Sequence, residues 1–325
     1  MAHSAPVLSF GELLIDLIAT GSTTSLLDVD MLAVRPGGAP ANVAVALARL
    51  GIPAALCSVV GQDPFGDRLL GVLDANGVDR SRVRQDPQAD TTLAFAWKDV
   101  RGDGHFRLVR QADVLLNVDD VEAAGIADLA AIVVGSVSLS AQPSRRAIEV
   151  AVQRAREARV PVCFDVNLRP TIWPDRETAR HACEQILPST NLLKLSLDDA
   201  RFLLDLGPTP SVDDVFAALE NYAFDFIVLT DGGRGCWFAN RETMEFSAPE
   251  HVPAYKIDAV EPTGAGDAFL AATIARLIEG AWHPLTVDDL RFASAAGALT
   301  TTRPGAIDSL PTRAEIDTFL LQHSS

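Results

Sequence analysis

The stretch Gly37-Gly38-Ala39-Pro40-Ala41-Asn42-Val43-Ala44-Val45-Ala46-Leu47-Ala48-Arg49-Leu50-Gly51-Ile52-Pro53-Ala54-Ala55-Leu56-Cys57-Ser58-Val59-Val60 reads as a glycine turn, a helix and a strand in succession. Val43, Ala46, Leu47 and Leu50 recur with the spacing of one helix face, Pro40 stands where a first turn tolerates it, and Gly51 marks the stop. Ala54 to Val60 is the apolar, β-rich run of a strand in a covered sheet.

The alternation continues outward from this unit. Further strands are expected at Val7 to Phe10, Ala131 to Gly135, Val160 to Val166, Asn191 to Leu195 and Phe226 to Thr230, with helical patterns between them. That order predicts an α/β fold, a mostly parallel central sheet with helices on both faces. Two stretches break it, Leu13 to Arg35 and Thr91 to Arg110, which read as extended hairpins, the second with its tip at Arg101-Gly102-Asp103-Gly104. Strands set aside in this way can assemble into a small β lid over the edge of the sheet. No internal repeat or long linker divides the chain, so residues 1–325 are expected to form one domain with the lid as an insertion.

Composition narrows the function classes. With 325 residues, 48% hydrophobic and 22% charged, the chain can bury a sizeable core. A formal net charge of −16 argues against nucleic acid as a partner, because that binding draws on clustered Lys and Arg. An anionic ligand must therefore meet a local positive site. Cys57, Cys163, Cys183 and Cys236 show no paired ligand spacing and read as reduced thiols. Glu12 and Asp16 interrupt the first apolar run, and Leu129 to Val137 falls well short of the roughly 20 residues that cross a bilayer. A cytoplasmic protein without a membrane partner is expected.

The sharpest chemical signal is Pro262-Thr263-Gly264-Ala265-Gly266-Asp267-Ala268-Phe269, a glycine turn entering a helical pattern that runs to about Leu277. Such a turn exposes backbone N–H groups at the positive end of a helix, which suits a phosphate. A carboxylate there repels phosphate unless it handles the proton of an attacking hydroxyl. A capping Asp gives the same pattern, and chemistry alone leaves both readings open. The turn lacks the Lys-Ser/Thr of a Walker loop, and no Gly-x-Gly-x-x-Gly follows the first strand, which disfavours an NAD-dependent oxidoreductase.

Gly-Gly-Ala-Pro-Ala-Asn at 37–42 and Thr-Gly-Ala-Gly-Asp at 263–267 together resemble the paired signatures of ribokinase-like (pfkB-type) carbohydrate kinases. Asp165-Val166-Asn167-Leu168-Arg169, Lys194-Leu195-Ser196-Leu197-Asp198-Asp199 and Thr230-Asp231-Gly232-Gly233-Arg234-Gly235 fall between them in that family's order. Within the family, Asn167 to Pro174 and Ser196 look most like bacterial fructokinases. The resemblance implies the ribokinase-like three-layer fold and ATP-dependent phosphorylation of D-fructose, with Asp267 as base and Gly264, Ala265 and Gly266 as anion hole. It places Asp16, Gly38, Asn42, Arg110 and Arg169 at the sugar, with Arg169 also at the reacting groups. Lys194, Ser196, Thr230, Gly232, Gly235 and Gly305 fall along the nucleotide, and Asp199 near magnesium through water. The implied partners are a sugar and Mg·ATP; separately, the apolar faces of the two hairpins could pair between two chains, so a homodimer through the lid is expected.

Glu261-Pro262 stands where many relatives carry Asp-Thr, whose Asp helps hold an activating monovalent cation, so potassium activation does not carry over directly. Thr302-Arg303-Pro304-Gly305-Ala306 resembles the loop that closes around nucleotide and cation, and keeps a weak K+ site open. Arg110 and Arg169 keep a second substrate in view, because forked guanidinium groups suit the carboxylate of 2-keto-3-deoxygluconate. A non-catalytic sugar-binding regulator with a kinase fold is the rival of another class, and it is expected to lose the base. The six histidines, His105 and His181 among them, follow no ligand or base spacing and read as surface or packing residues.

Overall fold

A computed structural model describes residues 5–21, 25–98, 104–207, 209–243 and 245–323. From the N-terminus come β1 (Val7–Phe10), β2 (Leu14–Ala19), β3 (Leu32–Gly37), α1 (Ala39–Arg49), β4 (Ala54–Gly61), α2 (Pro64–Ala75) and β5 (Asp79–Asp86). The middle holds β6 (Leu93–Lys98), β7 (Gly104–Val109), α3 (Val118–Glu122), β8 (Ala131–Gly135), α4 (Ser144–Ala158), β9 (Val162–Asp165) and α5 (Arg176–Glu184). Then follow β10 (Leu192–Ser196), α6 (Leu197–Leu203), α7 (Val212–Leu219), β11 (Phe226–Thr230), β12 (Cys236–Glu242), β13 (Glu245–Phe246) and β14 (Glu250–Val252). The chain ends in α8 (Ala265–Glu279), α9 (Val287–Thr301), α10 (Ala306–Ser309) and α11 (Arg313–Gln322).

Strand alternation makes the layers. Along β4, Ala54 and Leu56 pack in the cluster under α1, α8 and α9, whereas Ala55 and Cys57 pack in the cluster under α4 and α5. Both faces are thus covered, which favours parallel pairing. The sheet runs β5-β4-β1-β8-β9-β10-β11 in parallel, with β12 antiparallel beyond β11 and β13 and β14 paired to β12. This is the expected three-layer α/β architecture.

Like β12, β13 and β14, β5 has no counterpart among the expected strands. Its Asp79, Arg80, Arg82, Arg84 and Asp86 hide the period of a strand, and an edge position explains them: long polar side chains there reach solvent and pair, Arg82 with Asp79 at 2.7 Å and Arg84 with Asp86 at 2.8 Å.

The two interrupting stretches do form hairpins, β2 with β3 and β6 with β7, both antiparallel. β2 and β6 pair in parallel and join them into a four-stranded sheet, β3-β2-β6-β7. Of the expected tip, Arg101 to Asp103 lie outside the described residues. Because β3 ends at Gly37 and α1 begins at Ala39, this small sheet feeds directly into the N-terminus of α1. Among the described residues no helix is long and apolar enough to cross a membrane.

Candidate active site

Parallel strands leave their carboxyl ends along one edge, where the following helices begin. The N-termini of α1 and α8 meet there beneath the four-stranded sheet and enclose a cavity of about 640 Å³. Its lining includes Asp16 from that sheet and Asn42, Arg169, Lys194, Gly266 and Asp267. Trp97, His105 and Phe106, from β6 and β7, supply an aromatic wall.

The glycine turn owes its form to backbone demands. Gly264, at φ +83°, is the N-cap of α8 and provides no capping side chain, so the first-turn amides lack a local acceptor. Ala265 N–H closes the turn onto the Pro262 carbonyl at 3.1 Å, which leaves the amides of Gly266 and Asp267 as the helix-end donors beside the cavity. Gly266 leaves room for a neighbour: a Cβ there would stand 3.1 Å from Lys194 Nζ, so the ammonium lies beside the glycine turn.

Lys194 itself is set by strand register. It lies opposite Asp165 in the β9–β10 ladder, and Nζ donates to both carboxylate oxygens at 3.0 and 3.1 Å in a buried ion pair. Burial lifts Asp165 to about 6 against the pull of Lys194. Burial also works against the Lys194 ammonium, but the charges of Asp165 and Asp199 outweigh it and hold Lys194 above the usual lysine range.

Asp267 is 7% exposed, and its Oδ2 accepts a hydrogen bond from Asn42 Nδ2 at 2.7 Å. Burial raises its pKa, opposed by that hydrogen bond and by the charges of Lys194 and Arg169. Asp16, on β2, is pushed up to about 7 by burial and then by Glu261 and Asp267, with Arg169 pulling the other way. Arg169 Nη1 donates to Asn167 Oδ1 at 2.7 Å, and its guanidinium lies 5.6 Å over the Phe106 ring. Gly38 precedes α1 at φ +106°, where a Cβ would stand 2.3 Å from the Glu12 carbonyl oxygen.

Other expected residues lie elsewhere. Arg110 is not among those lining the cavity: Asp113, three residues on, takes its Nε at 2.7 Å and also Nη2, while Nη1 goes to Ser140 Oγ and the Val137 carbonyl. The fork expected for a substrate is thus engaged by Asp113 and Ser140, and Arg110 lies outside the cavity lining. Asp199 is likewise committed. Its Oδ1 accepts from Leu168 N–H at 2.8 Å, and its Oδ2 from Ser196 N–H at 2.9 Å and Ser196 Oγ at 2.7 Å, a capping box that starts α6. Among the described residues no group of three or more His, Cys, Asp or Glu could hold a metal ion.

Ser196 and Thr230 end β10 and β11, and Gly232 and Gly235 form the turn that follows, all on the same carboxyl edge but outside the lining of the main cavity. Gly305 donates its N–H to Glu261 Oε2 at 3.1 Å, tying the segment before the glycine turn to the loop after α9.

The sequence reading missed Glu12 and the aromatic wall. Glu12 is buried at the cavity rim, where its Oε1 accepts from Ala39 N–H and its Oε2 from Ser138 Oγ, both at 3.3 Å. Burial lifts it to about 7, against its own and the Ala39 amide and the Arg110 charge. His105 stacks on Trp97 with ring centroids 5.2 Å apart. Nothing in the local pattern marks either ring, because cross-strand register brings them together.

Residues 4–313 match the pfkB family of carbohydrate kinases. Fructokinase-1 of Zea mays is 38% identical over 316 residues, covering 95% of this chain and 96% of that protein. A fructokinase of Xylella fastidiosa with bound ATP superposes with a TM-score of 0.86 at 28% identity, covering 99% of this chain and all of that one. A double mutant of the fructokinase of Vibrio cholerae O395, in a form with fructose, ADP and potassium bound, gives a TM-score of 0.85 at 28% identity, covering 98% of this chain and all of that one.

Proposed function

Since the chain belongs to the pfkB family of carbohydrate kinases, we propose that it is an ATP-dependent fructokinase, converting D-fructose to fructose 6-phosphate with release of ADP. The observation that carries this reading is the buried Asp267 at the end of the glycine turn, flanked by Asn42 and facing Lys194 and Arg169 across one cavity. That cluster supports a base beside an anion site.

On this reading Asp16, Gly38 and Asn42 hold the sugar while Asp267 aligns its terminal hydroxyl. The γ-phosphoryl group meets the glycine turn through the Gly266 and Asp267 amides at the start of α8, the Ala265 amide being taken by the Pro262 carbonyl, and through the Lys194 ammonium, with Arg169 alongside. Transfer is largely dissociative, so the hydroxyl becomes acidic only as the new bond forms, and Asp267 takes its proton late. A carboxylate held above its usual pKa suits that timing. The nucleotide runs outward past Ser196, Thr230, Gly232, Gly235 and Gly305. A magnesium ion bound with the triphosphate would neutralise its charge, and Asp199, whose oxygens accept from Leu168 and Ser196, would reach it only through water. Potassium contributes little on this reading, because Glu261-Pro262 stands where many relatives carry the Asp that helps hold the cation.

The four-stranded sheet acts as a lid that closes on the sugar and shields the phosphoryl donor from water. Its exposed Leu27 and Met31 support a homodimer formed through the lid, and the protein works in the cytoplasm. The engagement of Arg110 favours fructose over 2-keto-3-deoxygluconate, since it removes one of two candidate carboxylate forks. ADP release measured across a sugar panel tests the assignment. Fructose is expected to give the highest kcat/KM, and a higher value for 2-keto-3-deoxygluconate overturns it.

A further inference from the structure

A carboxylate that takes a proton from an aligned hydroxyl has to present one oxygen and keep the other fixed. α1 and α8 pack together with both N-termini at the cavity, and Asn42 and Asp267 are the polar side chains that bridge them there. Both are nearly buried, at 4% and 7% exposed. The Asn42 amide has a forced orientation: turned the other way, its oxygen would face a carboxylate oxygen, acceptor against acceptor. With Nδ2 on Asp267 Oδ2, the Asn42 Oδ1 is left as a buried acceptor without a partner. An orphaned acceptor at this place points to a ligand donor that completes it.

We infer that Asn42 is the positioning residue of the base: its Nδ2 holds Asp267 Oδ2, so that Oδ1 is turned to the acceptor hydroxyl, while Asn42 Oδ1 takes a hydroxyl of the same sugar. One amide then links sugar orientation to base orientation. The charges acting with Asp267 come from several elements: Lys194 on β10 and Arg169 beyond β9, and the acids Asp16 on β2 and Asp165 on β9, whose own titrations feel Asp267. The acids favour its protonated form, and the cations and the Asn42 hydrogen bond favour its ionised form. Removing the Asn42 donor therefore moves the acid limb of activity upward.

The inference rests on the kinase reading. It is tested with the sugar that the wild-type enzyme phosphorylates best, so a wrong sugar assignment would show in the wild type alone. The rate at varied sugar and saturating Mg·ATP, giving kcat and KM, is followed between pH 5 and 9 for wild type, Asn42→Ala and the isosteric Asn42→Asp. For Asn42→Ala, kcat falls about ten- to a hundredfold at pH 7 and its acid limb moves up by about one unit or more, the scale of a hydrogen bond to a charged group. Asn42→Asp retains activity only at the acid end, where the introduced carboxyl is protonated and still donates to Asp267, and loses it as the two carboxylates both ionise. A rise in KM for the sugar with kcat and both limbs unchanged in either variant would make Asn42 a sugar ligand only and overturn the inference. Should Asn42→Ala fail to fold, the Asn42→Asp profile decides by itself.

Discussion

Replacing Asp16 by Asn should strengthen the unliganded fold while weakening the enzyme. Asp16 is 7% exposed, and burial with Glu261 and Asp267 nearby lifts it from 3.8 to about 7. The folded protein thus holds this proton more tightly than the unfolded chain does. Its contribution is complete below the unfolded value and is lost as pH rises toward about 7, the reverse of a salt-bridged acid. A rise of about three units at about 1.4 kcal/mol each sets a ceiling of about 4 kcal/mol on the cost of ionised Asp16 above neutral pH. Asn has the same shape and no such titration. Urea unfolding of the ligand-free protein at pH 5 and at pH 8 measures the effect. The Asn variant should lie within about 1 kcal/mol of wild type at pH 5 and exceed it by about 2–4 kcal/mol at pH 8, while its KM for fructose rises. A stability difference that does not change between the two pH values refutes the reasoning, and so does an Asn variant less stable at pH 8.

Asp267→Asn removes the proton acceptor and should lower kcat by about 10⁴-fold with sugar and nucleotide still binding; retention of more than about a tenth of the rate makes Asp267 a helix cap only. Lys194→Met strands the Asp165 carboxylate and should destabilise the fold by about 3–5 kcal/mol, whereas adding Asp165→Asn should restore most of it; equal melting temperatures for single and double variants count against the buried pair. Amide exchange in the lid hairpins within Leu13 to Arg35 and Thr91 to Arg110 should slow on adding fructose, and unchanged exchange in both rules out closure on the sugar. Exchanging potassium for choline should alter kcat/KM by no more than about threefold, a change of under 1 kcal/mol, whereas a tenfold loss means that Glu261 holds a cation.

Much of the site was legible because its parts are short and local. The turn at 263–267 carries a glycine, Gly264, whose positive φ is a local backbone demand, and ends on Asp267, and the turn at 37–42, with Gly38 also at positive φ, delivers Asn42 one helical turn later. Period and turn chemistry likewise sufficed for the buried parallel strands and the two hairpins. They failed for β5, whose charged residues at the sheet edge leave no apolar period to read.

What the sequence determined by itself was therefore the order of elements and the chemistry of two glycine turns. Tertiary structure alone decided which groups meet. Register sets Lys194 beside Asp165, helix packing brings Asn42 to Asp267 across 225 residues, and the lid lays Phe106 under Arg169. It also gave Arg110 and Asp199 partners within the protein, Asp113 for the first and Ser196 and Leu168 for the second. The pKa values of Glu12 and Asp16 belong to the same class of fact. Burial is their largest cause, and burial is a property of the packed fold that no stretch of residues carries alone.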